Sequence, residues 1–378
     1  MAEIVLDGIT HRYGETAALR DVTLTWDDGG AYALLGPSGC GKSTMLDIIS
    51  GLLEPSEGRV RFDGIDVTAT PAVQRNVAQV FQFPVLYDSM TVEQNLMFPL
   101  RNRGLARDAA RARAAEIAEL LEIDHLAAQK AKGLSADAKQ LVSLGRALVR
   151  TDVAAILFDE PLTVIDPQKK WGIRQVLKRV HGELGHTLVY VTHDQTEALT
   201  FADEVVVMTE GEVVQKGTPE ALFERPAHRF VGNFIGSPGM NFLAVGLEGS
   251  SVLIEGVPWL HVPGSVAEAH AIAAGGDGRR ELDDLCVGVR PEFVRCASQA
   301  RPDWPSGVVR RRNDLGTAVL SVVDTPAGTV VAKTATAEAD VGERCWVGFD
   351  PDRLVLFARG RAVDGVTPIA AAAAGGGR

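Results

Sequence analysis

The stretch Gly36-Pro37-Ser38-Gly39-Cys40-Gly41-Lys42-Ser43-Thr44 follows the apolar run Ala31–Leu35 and opens an apolar-rich segment of helical length, residues 43–50. It satisfies the pattern GxxxxGK[ST] in full, and strand, Gly-rich loop, helix is the setting that this pattern requires. Successive backbone N–H groups of such a loop, with the N-terminus of the following helix, surround the β- and γ-phosphates of a nucleotide. Lys42 adds a point charge and Ser43 a hydroxyl for Mg2+. Upstream, residues 4–6 have strand character and Asp28-Gly29-Gly30 is a turn signal.

Downstream, Ala154-Ala155-Ile156-Leu157-Phe158-Asp159-Glu160 is an apolar strand that ends in two carboxylates. Neighbouring strand residues point in different directions, so Asp159 can face Mg2+ while Glu160 reaches the water that attacks the γ-phosphate. An acidic pair before a proline also occurs as a plain end to a core strand; combined with the phosphate loop it reads as a P-loop NTPase. Around these motifs the order is that of an α/β domain with parallel strands and crossovers. A helix is expected over 102–126, with Ile117, Leu120, Leu121 and Ile123 on one apolar face. Helices at 139–149, 170–184 and 195–201 alternate with strands at 154–158 and 187–191.

After about residue 234 the pattern changes. Gly236-Ser237-Pro238-Gly239 reads as a linker, and short β-rich runs follow at 251–254, 286–289, 307–309, 317–323, 329–331 and 353–357. Pro and Gly punctuate them, as in a small barrel or sandwich. Residues 264–278 read as a loop or short helix, and the Ala/Gly-rich end as a disordered tail.

Bulk properties narrow the function. At 378 residues, and roughly one domain per 150 residues, two or three structural units are expected. A formal charge of -11 argues against a nucleic-acid backbone as partner. The four cysteines, Cys40, Cys286, Cys296 and Cys345, form no CxxC pair, so neither a disulfide framework nor a zinc site is indicated and a reducing compartment fits. The first residues alternate polar and apolar and lack the basic start and apolar run of a signal peptide. No apolar stretch approaches the roughly 18 residues of a membrane span, so any membrane role is expected to come through a partner.

On these motifs the chain resembles the nucleotide-binding subunits of ABC importers, in particular those of carbohydrate and polyol uptake systems, whose ATPase domain is followed by a β-rich regulatory region. The likeness is best over 4–234 and extends to Val287-Gly288-Val289-Arg290-Pro291-Glu292, which matches a characteristic stretch of that subgroup. It implies an ATPase domain over 1–235 with a helical subdomain at about 86–150, an oligonucleotide-binding-like (OB-like) β-barrel over 236–362, and a tail over 363–378. ATP and Mg2+ are the implied cofactors. Tyr13, in His11-Arg12-Tyr13-Gly14, matches the aromatic that stacks on adenine, and His193, in Thr192-His193-Asp194, the histidine on the γ-phosphate. Gln82, in Phe81-Gln82-Phe83-Pro84, matches the glutamine that touches Mg2+ and opens the segment receiving a membrane subunit; Ser135 and Asp166 fall at further nucleotide-contacting positions. Glu160, His193 and Gln82 are thus the implied catalytic set, with residues 36–44 around the phosphates and Ser43, Gln82 and Asp159 at the metal.

The departure from the family lies at the signature, normally Leu-Ser-Gly-Gly-Gln. Here it reads Leu134-Ser135-Ala136-Asp137-Ala138, so both glycines and the glutamine are absent. In the family this loop faces the γ-phosphate of ATP held by the opposite subunit, where Asp137 would set a negative side chain against a polyphosphate. A homodimer would have two such sites; a heterodimer with a second ATPase subunit bearing an intact signature would have one good site, and retention of the hydrolytic set favours it. Signatures of this form resemble one member of the paired ATPases of glycerol-type uptake systems. The resemblance further implies two transmembrane permease subunits, a periplasmic solute-binding protein and residence at the cytoplasmic face of a bacterial inner membrane. The alternatives are a homodimeric sugar-importer ATPase, an ATP-binding regulatory subunit with little turnover, and a soluble ABC ATPase of DNA repair or translation, which would carry a coiled-coil insert or a second ATPase domain.

Overall fold

A computed structural model describes residues 2–264 and 285–369. The chain divides into two compact units, Met1–Pro219 and Glu220–Arg378. That division falls ahead of the composition change at 236, because the short helices that precede the linker are bonded into the second unit.

In the first unit, β1 (Ile4–Tyr13), β2 (Thr16–Trp26), β3 (Ala31–Leu35), α1 (Lys42–Ser50), β4 (Glu57–Phe62), β5 (Ile65–Asp66) and β6 (Ala78–Val80) come first. Then follow α2 (Val92–Asn102), α3 (Arg107–Leu120), α4 (Ala136–Leu148), β7 (Ile156–Asp159), α5 (Pro167–Leu184), β8 (Leu188–Thr192), α6 (Gln195–Phe201), β9 (Glu204–Thr209) and β10 (Glu212–Gly217). They form two sheets. One is antiparallel, in the order β2-β1-β4-β5; the other, β10-β9-β3-β8-β7-β6, is parallel except at β10. The core between them and α1 is apolar, with Ile4, Trp26, Leu34, Ile48, Leu157 and Val191 all fully buried. Parallel strands covered on both faces read as continuous apolar runs, which is why β3 and β8 are buried at every position.

The helix expected over 102–126 is interrupted. α2 ends at Asn102, Gly104 takes a left-handed φ of 82°, and α3 stops at Leu120 before Glu122 at φ 59° and a 3-10 turn at Asp124–Leu126. The apolar face is nevertheless used, since Ile117, Leu121 and Ile123 are buried. α2 starts from a full capping box of Thr91 and Gln94, which satisfies two otherwise orphaned N–H groups.

In the second unit, α7 (Pro219–Glu224) and α8 (Arg229–Phe234) precede short strands. These are β11 (Asn241–Ala244), β12 (Gly246–Glu248), β13 (Ser251–Ile254), β14 (Val257–His261), β15 (Leu285–Val289), β16 (Val294–Ala297) and β17 (Ser306–Asp314). β18 (Val319–Thr325), β19 (Gly328–Thr334), β20 (Arg344–Phe349), β21 (Val355–Ala358), β22 (Arg361–Ala362) and β23 (Thr367–Pro368) complete it. Three antiparallel sheets result, β11-β15-β21-β22, β12-β13-β14-β23 and β16-β20-β17-β18-β19, closed around Trp259, Val287, Val323, Val347 and Leu356. Residues 351–353 form a 3-10 turn rather than the start of a strand. The tail expected from 363 is structured as far as 369: β23 pairs with β14, and the Ile369 N–H donates to the Trp259 carbonyl. The remaining tail, 370–378, and nearly all of the segment 264–278 lie outside the described residues.

Candidate active site

The parallel strands β3, β8, β7 and β6 all end at one edge of their sheet. The phosphate loop, His193, Glu160 and Gln82 therefore leave the sheet on the same side, where open α/β sheets hold their ligands. The loop between β3 and α1 is shaped by its glycines. A Cβ on Gly36 would lie 2.3 Å from the Met208 carbonyl, and Gly41, at φ 102°, would bring one to 2.5 Å from the Ala18 carbonyl. α1 then begins at Lys42 with no side-chain cap and no acidic residue in its first turn, so its positive end is left for an anion. Ser38, Gly39 and Ser43 are exposed, Pro37 and Thr44 half-buried, and Cys40 buried. The Lys42 side chain is folded over the loop, where its ammonium donates to the carbonyls of Gly36 at 2.8 Å and Pro37 at 2.9 Å.

Across from the loop, the Ser43 hydroxyl donates to Asp159 Oδ1 at 3.3 Å. Burial pushes the Asp159 carboxyl above the usual carboxylate range; Ser43 opposes this, while Glu160 and Asp47 add to it. Such concentrated negative charge is relieved by a cation. Among the described residues no cluster of three or more His, Cys, Asp or Glu side chains could hold a metal ion. The donor set of one carboxylate, one hydroxyl and open space suits Mg2+, which takes few protein ligands and keeps water and phosphate oxygens.

Asp159→Asn is expected to raise the thermal midpoint at neutral pH. The folded-state pKa is raised, so the penalty for ionising Asp159 is present above that pKa and disappears once the carboxyl is protonated in both folded and unfolded chains. The gain should therefore shrink to nothing as pH falls below the ordinary carboxylate range. Melting curves of both forms against pH check this; a gain independent of pH counts against it.

Glu160 sits just past β7 in a left-handed conformation, φ 45°, which a non-glycine residue adopts only when its surroundings enforce it. Here its N–H donates to the Val191 carbonyl at 3.0 Å, Thr163 Oγ1 donates to Oε2 at 3.2 Å, and His193 Nδ1 stands 3.1 Å from Oε1. The backbone turn and two side chains thus aim one carboxylate. His193 itself follows a reinforced strand end: Tyr190 and Thr192 hydroxyls and the Lys170 ammonium converge on the buried Glu197, and Asp194 caps α6. Sequence reasoning missed both Thr163 as an orienting group and Glu197 as the hub behind His193: Thr163 sits in the same turn as Glu160, three residues on, whereas Glu197 gathers partners from β8 and α5.

The other expected residues take varied places. Asp166 caps α5 by accepting from the Gln168 N–H at 2.8 Å. Gln82 is half-buried just beyond β6, within a run where Phe81, Phe83, Val85 and Tyr87 are exposed. Tyr13 ends β1, 55% exposed, with its ring edge-on to His11 at 4.7 Å. Ser135 is the N-cap of α4 and accepts from the Ala138 N–H at 3.3 Å. Among the described residues, no hydrogen bond or ion pair joins Tyr13, Gln82 or Ser135 to Lys42, Asp159 or Glu160. Asp137 is not the unbalanced charge that the signature sequence suggests, because Lys169 in the first turn of α5 pairs with it at 2.8 Å.

Comparison with known proteins agrees with this geometry. The family model described as ABC transporter matches residues 19–163, and that of the TOBE domain matches residues 287–357. The sn-glycerol-3-phosphate import ATP-binding protein UgpC of Chromohalobacter salexigens is 42% identical over 78% of this chain and 76% of its own length. The xylose/arabinose import ATP-binding protein XacK of Haloferax volcanii is 37% identical over 94% of both. Among solved structures, the dimeric post-hydrolysis state of the ATP-binding cassette MJ0796 with ADP and Pi superposes with a TM-score of 0.52 at 32% identity, covering 57% of this chain and 98% of that one.

Proposed function

The chain belongs to the ATP-binding subunits of ABC transporters, and from that premise we propose that it powers uptake of a carbohydrate or polyol, glycerol or a glycerol ester foremost. It is an ATP-hydrolysing P-loop enzyme that works on ATP with Mg2+, and its β-rich unit is a TOBE domain. The observation that carries the reading is the convergence of Lys42, the Ser43–Asp159 pair and the Glu160–His193 pair at the ends of β3, β7 and β8. Residues 36–44 wrap the phosphates, and Lys42 turns from the loop carbonyls to their charge. Tyr13 stacks on the adenine, and Gln82 stands by the metal and the transport partner.

Magnesium, when bound by Asp159 and Ser43, supplies charge neutralisation at the phosphates. Glu160 orients a water and accepts its proton as the water oxygen bonds to the γ-phosphorus; the bond to the bridging oxygen breaks and ADP leaves with the electron pair. His193 holds Glu160 in place through Nδ1 and presents its exposed side to the transferring phosphoryl. Ser135 and Asp166 contact nucleotide across a pair of ATPase subunits.

The pair is a heterodimer in which a second subunit contributes the intact signature. Two permease subunits and a periplasmic binding protein complete the machine at the cytoplasmic face of the membrane. Among the described residues no helix is long and apolar enough to cross a membrane, in keeping with coupling through permeases. The relatives' names, for sn-glycerol-3-phosphate import and xylose/arabinose import, support the substrate class. The intact Glu160–His193 pair weighs against a subunit that binds ATP without turnover.

The test is Mg-ATPase of this chain alone and with the ABC subunit of the neighbouring gene, beside uptake of labelled glycerol, glycerol phosphate, xylose and trehalose by cells with and without the chain. Hydrolysis that appears only in the pair is expected, with loss of glycerol or glycerol-phosphate uptake. Robust cooperative hydrolysis by the lone chain overturns the pairing, and loss of pentose or trehalose uptake alone overturns the polyol.

A further inference from the structure

The signature of this chain departs from its family by placing Asp137 at the second position of α4, at the positive end of the helix that should face a triphosphate. An isolated carboxylate there would cancel the helix end and repel the ligand. The structure supplies a partner. Lys169, in the first turn of α5, reaches Asp137 Oδ2 at 2.8 Å. The two are unequally presented: the Lys169 side chain is 63% exposed and that of Asp137 21%. Ser135, Asp137 and Lys169 also line one cavity of about 630 Å3.

We infer that Lys169 is the positioning residue that makes the altered signature serviceable, turning Leu134–Ala138 into a loop that shows an ammonium, rather than a carboxylate, to the triphosphate of ATP held by a second subunit. The lost glycine N–H approach is replaced by a cation anchored from another element. Lys169 is itself fixed by α5, whose N-cap is Asp166 and whose start follows directly on the Glu160–Thr163 turn. The pair therefore also ties the start of α4 to the segment that aims Glu160. This inference rests on the ATPase reading above, and it concerns ATP binding at the second composite site, formed by this chain's signature and the partner's phosphate loop, while turnover stays with the site that has the intact signature.

The ion pair itself contributes little to folding, while Asp137→Gly gives up about 1 kcal/mol of helix stability at the start of α4, so the melting temperature of each form is recorded and all are compared well below it. Four forms are to be compared in the preparation that hydrolyses ATP: the parent, Lys169→Ala, Asp137→Gly, and both together. Lys169→Ala should raise KM for Mg-ATP about tenfold with kcat little changed. The rise should fade with added salt, because what remains is a screened repulsion between Asp137 and phosphate. Lys169→Arg should restore the parent KM, and so should Asp137→Gly in the Lys169→Ala background.

An equal effect of Lys169→Ala with Asp137 present or replaced overturns the inference, as does a KM rise indifferent to salt. Calorimetric binding of Mg-ATP to the isolated chain separates this from a failure of the underlying reading. Intact binding in all forms without coupling between 137 and 169 sinks the role of Lys169 alone; absence of binding in the parent sinks the ATPase reading and this inference with it.

Discussion

Glu160→Gln is expected to lower kcat for ATP hydrolysis about a thousandfold while leaving the affinity for Mg-ATP within a few-fold of the parent. A positioned general base contributes roughly 10²–10⁴-fold, so the loss corresponds to about 4 kcal/mol of barrier. The substitution is close to isosteric, and the geometry should survive it. The strained φ of 45° is imposed by the N–H bond to Val191, which the side-chain change does not touch. The amide oxygen can still accept from His193, and the amide NH2 can donate to the Thr163 hydroxyl, which now donates to Glu160. What disappears is the capacity to take a proton from water. Phosphate release in steady state and calorimetric titration with Mg-ATP measure the two quantities separately. A kcat within tenfold of the parent would move the base elsewhere; equal loss of binding would make Glu160 a structural residue. Thr163→Val is the graded companion, because it removes one of two supports for the carboxylate and should cost less than Glu160→Gln.

How far this site could be read in advance follows from the range over which each signal acts. The phosphate loop and the acidic strand end are local patterns: the GxxxxGK[ST] spacing, the helix start at Lys42 and the adjacent pair Asp159-Glu160 all show within a few residues, although the carbonyls that crowd Gly36 and Gly41 belong to the distant Met208 and Ala18. The α/β order was legible because buried parallel strands read as apolar runs, and α6 fell at its expected bounds. The antiparallel sheet was not, since β1 pairs with β2 and β4 through repeated register shifts that blur any alternation. The break between α2 and α3 escaped because the expected helix was drawn from the Ala- and Arg-rich run after Gly104, which favours helix, and was carried back through the glycine to Asn102. Asp137 looked like a bare charge for a related reason: Lys169 lies 32 positions away, and only the packing of α4 against α5 unites them.

Arg290 is the case in which a motif was recognised without its physics, and its replacement should give the largest loss of stability in the second unit. It lies in the Val287–Glu292 stretch and is 1% exposed. Its guanidinium donates to the carbonyl of Phe223 at 2.6 Å, to Leu222 and Gly232 at 3.4 Å each, and to Ile235, while stacking 3.9 Å from the Phe223 ring centre. These carbonyls lie in and after α7 and α8, short helices whose C-terminal groups have few partners of their own. One planar five-donor fork therefore satisfies both helix ends and fastens them to β15. Burial lowers the pKa of Arg290 to about 10, so it keeps its charge at neutral pH and all of its donors. Arg290→Ala would strand several buried carbonyls and open a cavity, at a cost of about 3–5 kcal/mol. Lys at this position should recover only a minor part, because a point charge cannot reach carbonyls on two helices at once. Urea unfolding followed by the signal of the second unit measures the effect, with Mg-ATP binding to the first unit as the control. A shift below about 1 kcal/mol would mean that water takes over the carbonyls and that the fork is dispensable.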